Sequence, residues 1–203
     1  HINVDHSVLI PGSGVNLEYY KSIEYPSDKT IEFVFISRVM KEKGIDQYLE
    51  AAKYITHKYP NTKFHICGFC EEEYESLLFK LQENKIIEYH GLVDDVREVL
   101  KNVHCTIHPT YYPEGMSNVL LESCASARPI ITTNRSGCKE IVNDGINGFI
   151  VNQKDSNDLI KKIEEFINLD YLDKKQMGLN ARKKVEEEFD RNIVIDKYMK
   201  EIN

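Results

Sequence analysis

From residue 31 onward the chain alternates short β-branched runs with stretches whose apolar residues recur every three to four positions. Strands are predicted at 31–37 (IEFVFIS), 63–67 (KFHIC), 86–89 (IIEY), 104–108 (HCTIH), 129–132 (PIIT) and 148–151 (GFIV). Helices are predicted between them at 45–58, 71–84, 94–101, 117–127 and 137–143, with three more at 157–168, 172–188 and 191–201. The first helix carries Ile45, Tyr48, Leu49, Ala52 and Ile55 on one stripe of period 3.6. This βα repetition predicts an α/β fold with a doubly wound, mainly parallel sheet of Rossmann-like type. Such sheets take their ligands just past the C-terminal ends of the strands. The residues that follow each strand are therefore the candidates for chemistry.

Residues 1–25 stand outside the pattern. VLIPGSGVNLEYY reads as a short strand, a Gly-rich turn and an irregular stretch. PGSG lacks the GxGxxG spacing of a dinucleotide fingerprint and opens no helix, so a linker or inter-domain crossing is the better reading. The start of the chain, HINVDHSVLIPG, has no basic segment followed by an apolar one and does not read as a signal peptide.

At 203 residues the chain is long enough to bury a sizeable core. No apolar run approaches the ~20 residues that span a bilayer. The net charge of −7, from 26 basic and 33 acidic residues, argues against a nucleic-acid-binding surface. An anionic ligand would instead need a few well-placed cations. The lysines of the C-terminal helices (161, 162, 174, 175, 183 and 184) are interspersed with acids and read as a solvated face. Five cysteines cannot all pair within one chain, and Cys67, Cys105 and Cys124 lie in apolar contexts where a free thiol acts as a small hydrophobe. A reducing cytoplasm fits this usage best.

Two strand-to-helix junctions carry candidate chemistry. In FISRVMKEKGIDQYLEA, Arg38 and Lys43 flank the turn between a buried strand and a helix. The helix dipole and free amides there favour an anion, which Arg can grip bidentately and Lys can attract as a point charge. In PTYYPEGMSNVLLESCASARP, Pro109 and Pro113 stop the strand, Gly115 frees the backbone, and Ser117 is a candidate N-cap. Glu114 precedes that helix. Glu122 lies five residues beyond the cap, ~7.5 Å along the axis, and leans back toward the helix N-terminus. Among Val119, Leu120, Leu121, Cys124 and Ala125 its carboxylate needs a partner. Vicinal hydroxyls of a ribose would serve, as would a backbone amide or an arginine.

The E-x7-E spacing of Glu114 and Glu122, preceded by R-x4-K-G, resembles the C-terminal domain of glycosyltransferase family 4, the retaining GT-B enzymes. FHICG, YHGLVDDVREVL and ARPIITTNRSGCKEIVNDGINGFIV extend the likeness, and VLIPGSGVNLEYY resembles the family's crossing into this domain, so essentially the whole chain is covered. The resemblance implies that Arg38 and Lys43 hold the donor diphosphate. It implies that Glu114 faces the donor sugar as the catalytic carboxylate, and that the amides around Gly115, Met116 and Ser117 bind phosphate or sugar oxygens. Glu122 would accept from the ribose hydroxyls, and Val93 and Asp95 would line the base.

No metal or other cofactor is implied, since cations and amides stabilise the leaving group. The wording EGMSNVLLE and SGCKE is similar to bacterial enzymes of capsule, O-antigen and exopolysaccharide synthesis, which implies a UDP-hexose donor and a glycan or lipid-linked acceptor. An N-terminal domain would bind that acceptor, and the helix at 191–203 would cross back onto it. The domain scheme is thus a crossing at 1–25, a donor-binding body at 26–190, and this last helix. The whole enzyme would work in the cytoplasm or at the inner face of its membrane, and this domain alone would bind nucleotide or donor weakly without transferring sugar.

Two departures from the family pattern stand out. Ala127 occupies a position usually held by Gly, where its methyl is expected to tighten packing, and Phe69-Cys70 replaces a small residue, which predicts a differently shaped loop. Three rival readings are a GT-B sugar-nucleotide epimerase, a non-catalytic nucleotide-sugar sensor, and thiol redox chemistry at Cys67-Gly68-Phe69-Cys70. The E-x7-E spacing argues against the first. The placing of Cys67 at a strand end argues against the third. Zinc at His104, Cys105 and His108 lacks a second ligand pair.

Overall fold

A computed structural model describes residues 12–113 and 115–202, of which 201 and 202 are described by their backbone alone. Six strands form one parallel sheet: β1 (Ile31–Ile36), β2 (Thr62–Cys67), β3 (Glu88–Tyr89), β4 (Cys105–His108), β5 (Ile130–Thr133) and β6 (Gly148–Val151), in the order β3-β2-β1-β4-β5-β6. This is the doubly wound order, and the chain reverses direction across the sheet between β1 and β4. The seven helices of the described residues are α1 (Ile45–Lys58), α2 (Glu72–Glu83), α3 (Val96–Leu100), α4 (Asn118–Ala125), α5 (Ser156–Asn168), α6 (Tyr171–Glu188) and α7 (Arg191–Ile202).

The strands are hydrophobic on both faces because both faces are covered. Phe33, Phe35, Phe64 and Ile66 point to the α1 and α5 side, while Val34, Ile36 and Cys67 meet Leu100 and Val103 on the α3 side. Leu120, Leu121 and Cys124 of α4 pack with Ala181 and Val185 of α6 in a further cluster. The α1 stripe is buried as its period predicts, and the predicted limits of α1 are those observed. The predicted helix at 137–143 is a single 3₁₀ turn, Lys139–Ile141, because Gly137 sits at φ +88° and the Glu140 carboxylate folds back to accept the Gly137 amide at 2.8 Å.

Two lysines of α6 depart from the solvated face expected of them. Lys174 and Lys184 are buried. The Lys174 ammonium donates to the Leu169 carbonyl at 2.5 Å, and Lys184 reaches the Asn143 side chain at 3.0 Å and the Glu188 carboxylate at 3.1 Å. Each stem lies along apolar surface while the head finds an oxygen. Lys161 and Lys183 do remain exposed.

Ala127 also departs from expectation. It closes α4 in the left-handed conformation, at φ +58°, with its amide donating to Cys124 O and the next amide, of Arg128, to Ser123 O. This is the Schellman arrangement in which glycine is favoured. The methyl therefore brings backbone strain of about 1–2 kcal/mol. Ala127→Gly should stabilise the protein by about 0.5–1 kcal/mol after the unfolded-chain entropy of glycine is offset. Urea unfolding would check this, and a fall in stability would mean that the methyl's contacts outweigh the strain.

Candidate functional site

The mouth at the sheet reversal is assembled by close backbone approach. Gly44, at φ +79° before α1, lies so near the β4 exit that a Cβ there would stand 2.1 Å from the Pro109 carbonyl oxygen. The Tyr111 amide and the Thr110 hydroxyl both donate to the Glu42 carbonyl, at 2.9 and 3.3 Å. The Lys43 ammonium lies 4.6 Å from the centre of the Tyr112 ring. The loop bearing Arg38 and Lys43 is thus stitched to the loop that leads into α4. Arg38 is exposed at its rim. Gly68 brings in a third loop, since a Cβ there would meet Ser37 O at 1.9 Å, and the Val39 amide donates to Phe69 O at 2.7 Å. The loop at Phe69-Cys70 runs beside Val39 as a parallel bridge, with Phe69 turned outward.

Across the mouth, Gly115 is exposed, Met116 half-buried and Ser117 buried. Ser117 occupies the N-cap position of α4 without a capping bond from its side chain, and its amide donates to Gly137 O at 2.9 Å. That amide is therefore committed to the loop after β5. Glu114 lies outside the described residues.

Glu122 is half-buried on α4, and burial raises its pKa. The Tyr20 hydroxyl faces it, and the phenol pKa is raised in turn by its burial and by the adjacent carboxylate. The polar neighbour of this carboxylate is thus a hydroxyl. Around this pair lie Gly14, Val15, Asn118 and Arg191, a corner where the segment after residue 12 runs beside the start of α7. The Val15 amide donates to Phe189 O at 2.8 Å and the Arg191 amide to Val15 O at 3.0 Å.

Val93 is half-buried against the α3-side cluster. Asp95 caps α3, accepting from the Arg97 amide at 3.0 Å, and pairs with the Arg97 guanidinium, which holds its carboxyl down at about 2. Arg97 in turn lies 3.8 Å from the centre of the Tyr19 ring and donates to Tyr19 O at 3.3 Å. The loop bearing Val93 and Asp95 is thereby joined to the tyrosine pair that reaches Glu122. Tyr20, Tyr112 and Arg135, which donates to Tyr112 O at 2.7 Å, belong to this region and were not singled out from the sequence. Their contacts join residues far apart in the chain, and no local pattern signals them.

The cysteine pair offers no thiolate. Cys67 is buried and its thiol is pushed up to about 11 by burial, and Cys70 is raised by burial and by the acids at the head of α2. A thiol so raised is a poor nucleophile. His104 is likewise unsuited to a metal, because its Nδ1 accepts from the Glu32 amide at 3.1 Å.

Residues 20–184 match the family model for glycosyl transferases group 1. The chain belongs to this family. It is 34% identical over 163 residues to the capsular polysaccharide biosynthesis glycosyltransferase CapM of Staphylococcus aureus, covering 79% of this chain and 42% of that protein. Among solved structures, Alr3699/HepE of Anabaena in complex with UDP superposes with a TM-score of 0.80 at 19% identity, over 93% of this chain and 55% of that one. The C-terminal domain of the group 1 family protein LpcC from Francisella tularensis gives a TM-score of 0.75 at 21% identity, over 87% of this chain and 99% of that one. The two structural likenesses show the fold. The chain spans about half the length of the curated relatives it matches, at 42% and 49% for CapM and the putative glycosyltransferase EpsD of Bacillus subtilis. Among the described residues, no helix of this group 1 glycosyltransferase chain is long and apolar enough to cross a membrane.

Proposed function

We propose that this chain is the donor-binding half of a retaining glycosyltransferase that moves a hexose from UDP to a glycan or lipid-linked acceptor in bacterial surface polysaccharide synthesis. The observation that carries this reading is the stitching of the Arg38–Lys43 loop to the loop entering α4. It brings two cations and the helix that carries Glu122 to one mouth, at the sheet reversal where this fold takes its ligands. Arg38 and Lys43 hold the diphosphate, with the amides of Gly115 and Met116 adding neutral donors. Glu122 accepts from the ribose hydroxyls on the side where the Tyr20 hydroxyl faces it. The base lies along Val93, with Asp95 keeping that loop in shape, and Glu114 faces the sugar as the catalytic carboxylate.

Cations and amides supply the stabilisation of the leaving diphosphate, so no metal is required for transfer. The name of CapM supports the polysaccharide assignment, and the UDP bound in HepE supports the nucleotide. The segment at 1–25 and the helix at 191–203 cross to a separate acceptor-binding domain. Ile195 and Tyr198 of α7 are 49% and 53% exposed, as a helix awaiting such a neighbour would be. The complete enzyme works in the cytoplasm, in peripheral contact with the membrane that holds a lipid-linked acceptor, and the isolated domain binds donor without transferring it.

Calorimetry of this chain against UDP, GDP, ADP and UDP-hexoses tests the reading. Glu122→Ala should weaken every nucleotide by about 10- to 100-fold, the value of hydrogen bonds to a charged group. Glu114→Ala should weaken mainly the sugar-bearing ligands. If neither change alters binding, the pocket lies elsewhere. Measurable sugar transfer by this chain alone would refute the division of labour.

A further inference from the structure

We propose that the cleft on the α3 face of the sheet, at its β3 edge, is a binding site for a divalent transition-metal ion of the zinc class. His65 Nδ1, His90 Nε2 and the Glu88 carboxylate are its ligands. The three ligand atoms lie within 4.8 Å of one another, and none of these residues is among those assigned to the donor mouth.

The parallel register creates the cluster. His65 in β2 stands directly opposite Glu88 in β3, and His90, two residues on, returns to the same face by strand alternation. Glu32 comes to this face from β1. Its carboxylate lies 2.8 Å from His65 Nε2. A carboxylate can only accept there, so the proton of neutral His65 is on Nε2 and the lone pair on Nδ1. That lone pair is aimed at His90 Nε2, 3.0 Å away, while Glu88 Oε2 stands 3.6 Å from the same Nδ1. The other oxygen of Glu88 is held by Lys63 at 3.2 Å, which leaves Oε2 turned inward.

Zinc–nitrogen bonds of about 2.1 Å in a tetrahedral site put two ligating nitrogens about 3.4 Å apart. The present 3.0 Å needs to open by only a few tenths of an ångström. The ion takes the place of the proton shared between the two rings. That proton leaves His90 Nε2, Nδ1 of the exposed ring takes one up from water, and no net charge is lost. Two imidazoles and one carboxylate suit zinc, cobalt or nickel better than magnesium or calcium. Glu32 behind His65 is the second-sphere carboxylate that such sites use to fix tautomer and ring orientation. His90 and Glu88 are exposed, so the fourth position faces water.

The structural consequence is a clamp. β3 has only two residues in the ladder, and the loop bearing Val93 and Asp95 begins at Gly91, next to a ligand. An ion there ties the sheet edge and the root of that loop to β2.

Tag-free protein, stripped with a chelator and titrated with Zn²⁺ by calorimetry and with Co²⁺ by visible absorption, tests the site. One ion per chain is expected, with a Co²⁺ spectrum of low coordination number. His90→Ala should weaken binding by about tenfold or more, and Glu32→Gln by about 10- to 100-fold although it does not touch the ion. His90 and Glu88 are exposed, so their replacements should leave urea unfolding of the metal-free protein nearly unchanged. Absence of saturable binding at one equivalent would overturn the proposal. So would binding that is unchanged in both His90→Ala and Glu88→Gln, since the ion would then sit on other groups.

Discussion

Replacing Arg128 by methionine should lower the unfolding free energy by about 3–5 kcal/mol, the cost of leaving several buried carbonyls without donors. Arg128 is fully buried. Among the described residues, the acceptors of its guanidinium are all backbone carbonyls. Nε donates to Leu100 O at 2.7 Å, one terminal nitrogen reaches Ile23, Ser126 and Ala127, and the other reaches Glu24 at 2.8 Å and Lys101 at 3.4 Å. The Tyr25 ring lies 5.6 Å away. Burial lowers the guanidinium pKa to about 10, so the group stays charged at neutral pH. Methionine fills much of the volume but leaves several carbonyls buried without donors, at about 1–3 kcal/mol each where water cannot reach them. Urea unfolding measures the loss, and hydrogen exchange should show the chain near residues 23–24 opening first. Arg128→Lys should recover part of the stability through three donors. A loss below about 1 kcal/mol in the methionine variant would mean that the carbonyls find other partners.

Acid should weaken the fold through His104. The ring is 1% exposed, with Nδ1 accepting from the Glu32 amide and Nε2 donating to Ser27 O at 3.2 Å. This pair of partners admits the neutral ring alone, because a second proton would point a donor at a donor. Burial holds the pKa at about 4, against an ordinary value of 6.5. The unfolded chain therefore takes up a proton below pH 6.5 while the folded chain does not until about pH 4. Stability falls as pH falls through that window. Between pH 7.5 and 5 the loss from this residue is about 2 kcal/mol. His104→Gln removes the titration, so its stability should fall less steeply with pH than that of the wild type. Parallel pH profiles for the two proteins would exclude His104 as the source.

The elements were legible in the sequence because each is written within its own span. The stripe of α1 and the strand runs IEFVFIS and KFHIC declare themselves locally, and all six predicted strands are found within two residues at either end. The two junctions that approach each other were also legible, since Gly44, Pro109 and Pro113 mark chain reversals at strand ends. Helix ends were less so. The predicted 94–101 shrinks to Val96–Leu100 because Asp95 spends its carboxylate on the Arg97 amide and guanidinium, which no count of apolar residues reveals. Lys174 looked like a surface cation, and nothing in the sequence singled out Arg128.

By itself, then, the sequence determined the fold class, the strand and helix order, and the pairing of a cation-bearing turn with an E-x7-E segment. These depend on periodicity and on residues that control φ, both of which act over a few positions. The tertiary structure alone decided that Ala127 bears a left-handed strain and that the Ser117 amide is already committed. It alone decided that Tyr20 comes beside Glu122 from across the chain, and that His65, Glu88 and His90 converge at one edge. Each of these depends on which distant backbone comes within about 3 Å, the range in which hydrogen bonds and steric contacts are decided. Strand register and helix packing set that proximity, and no short stretch of residues carries it.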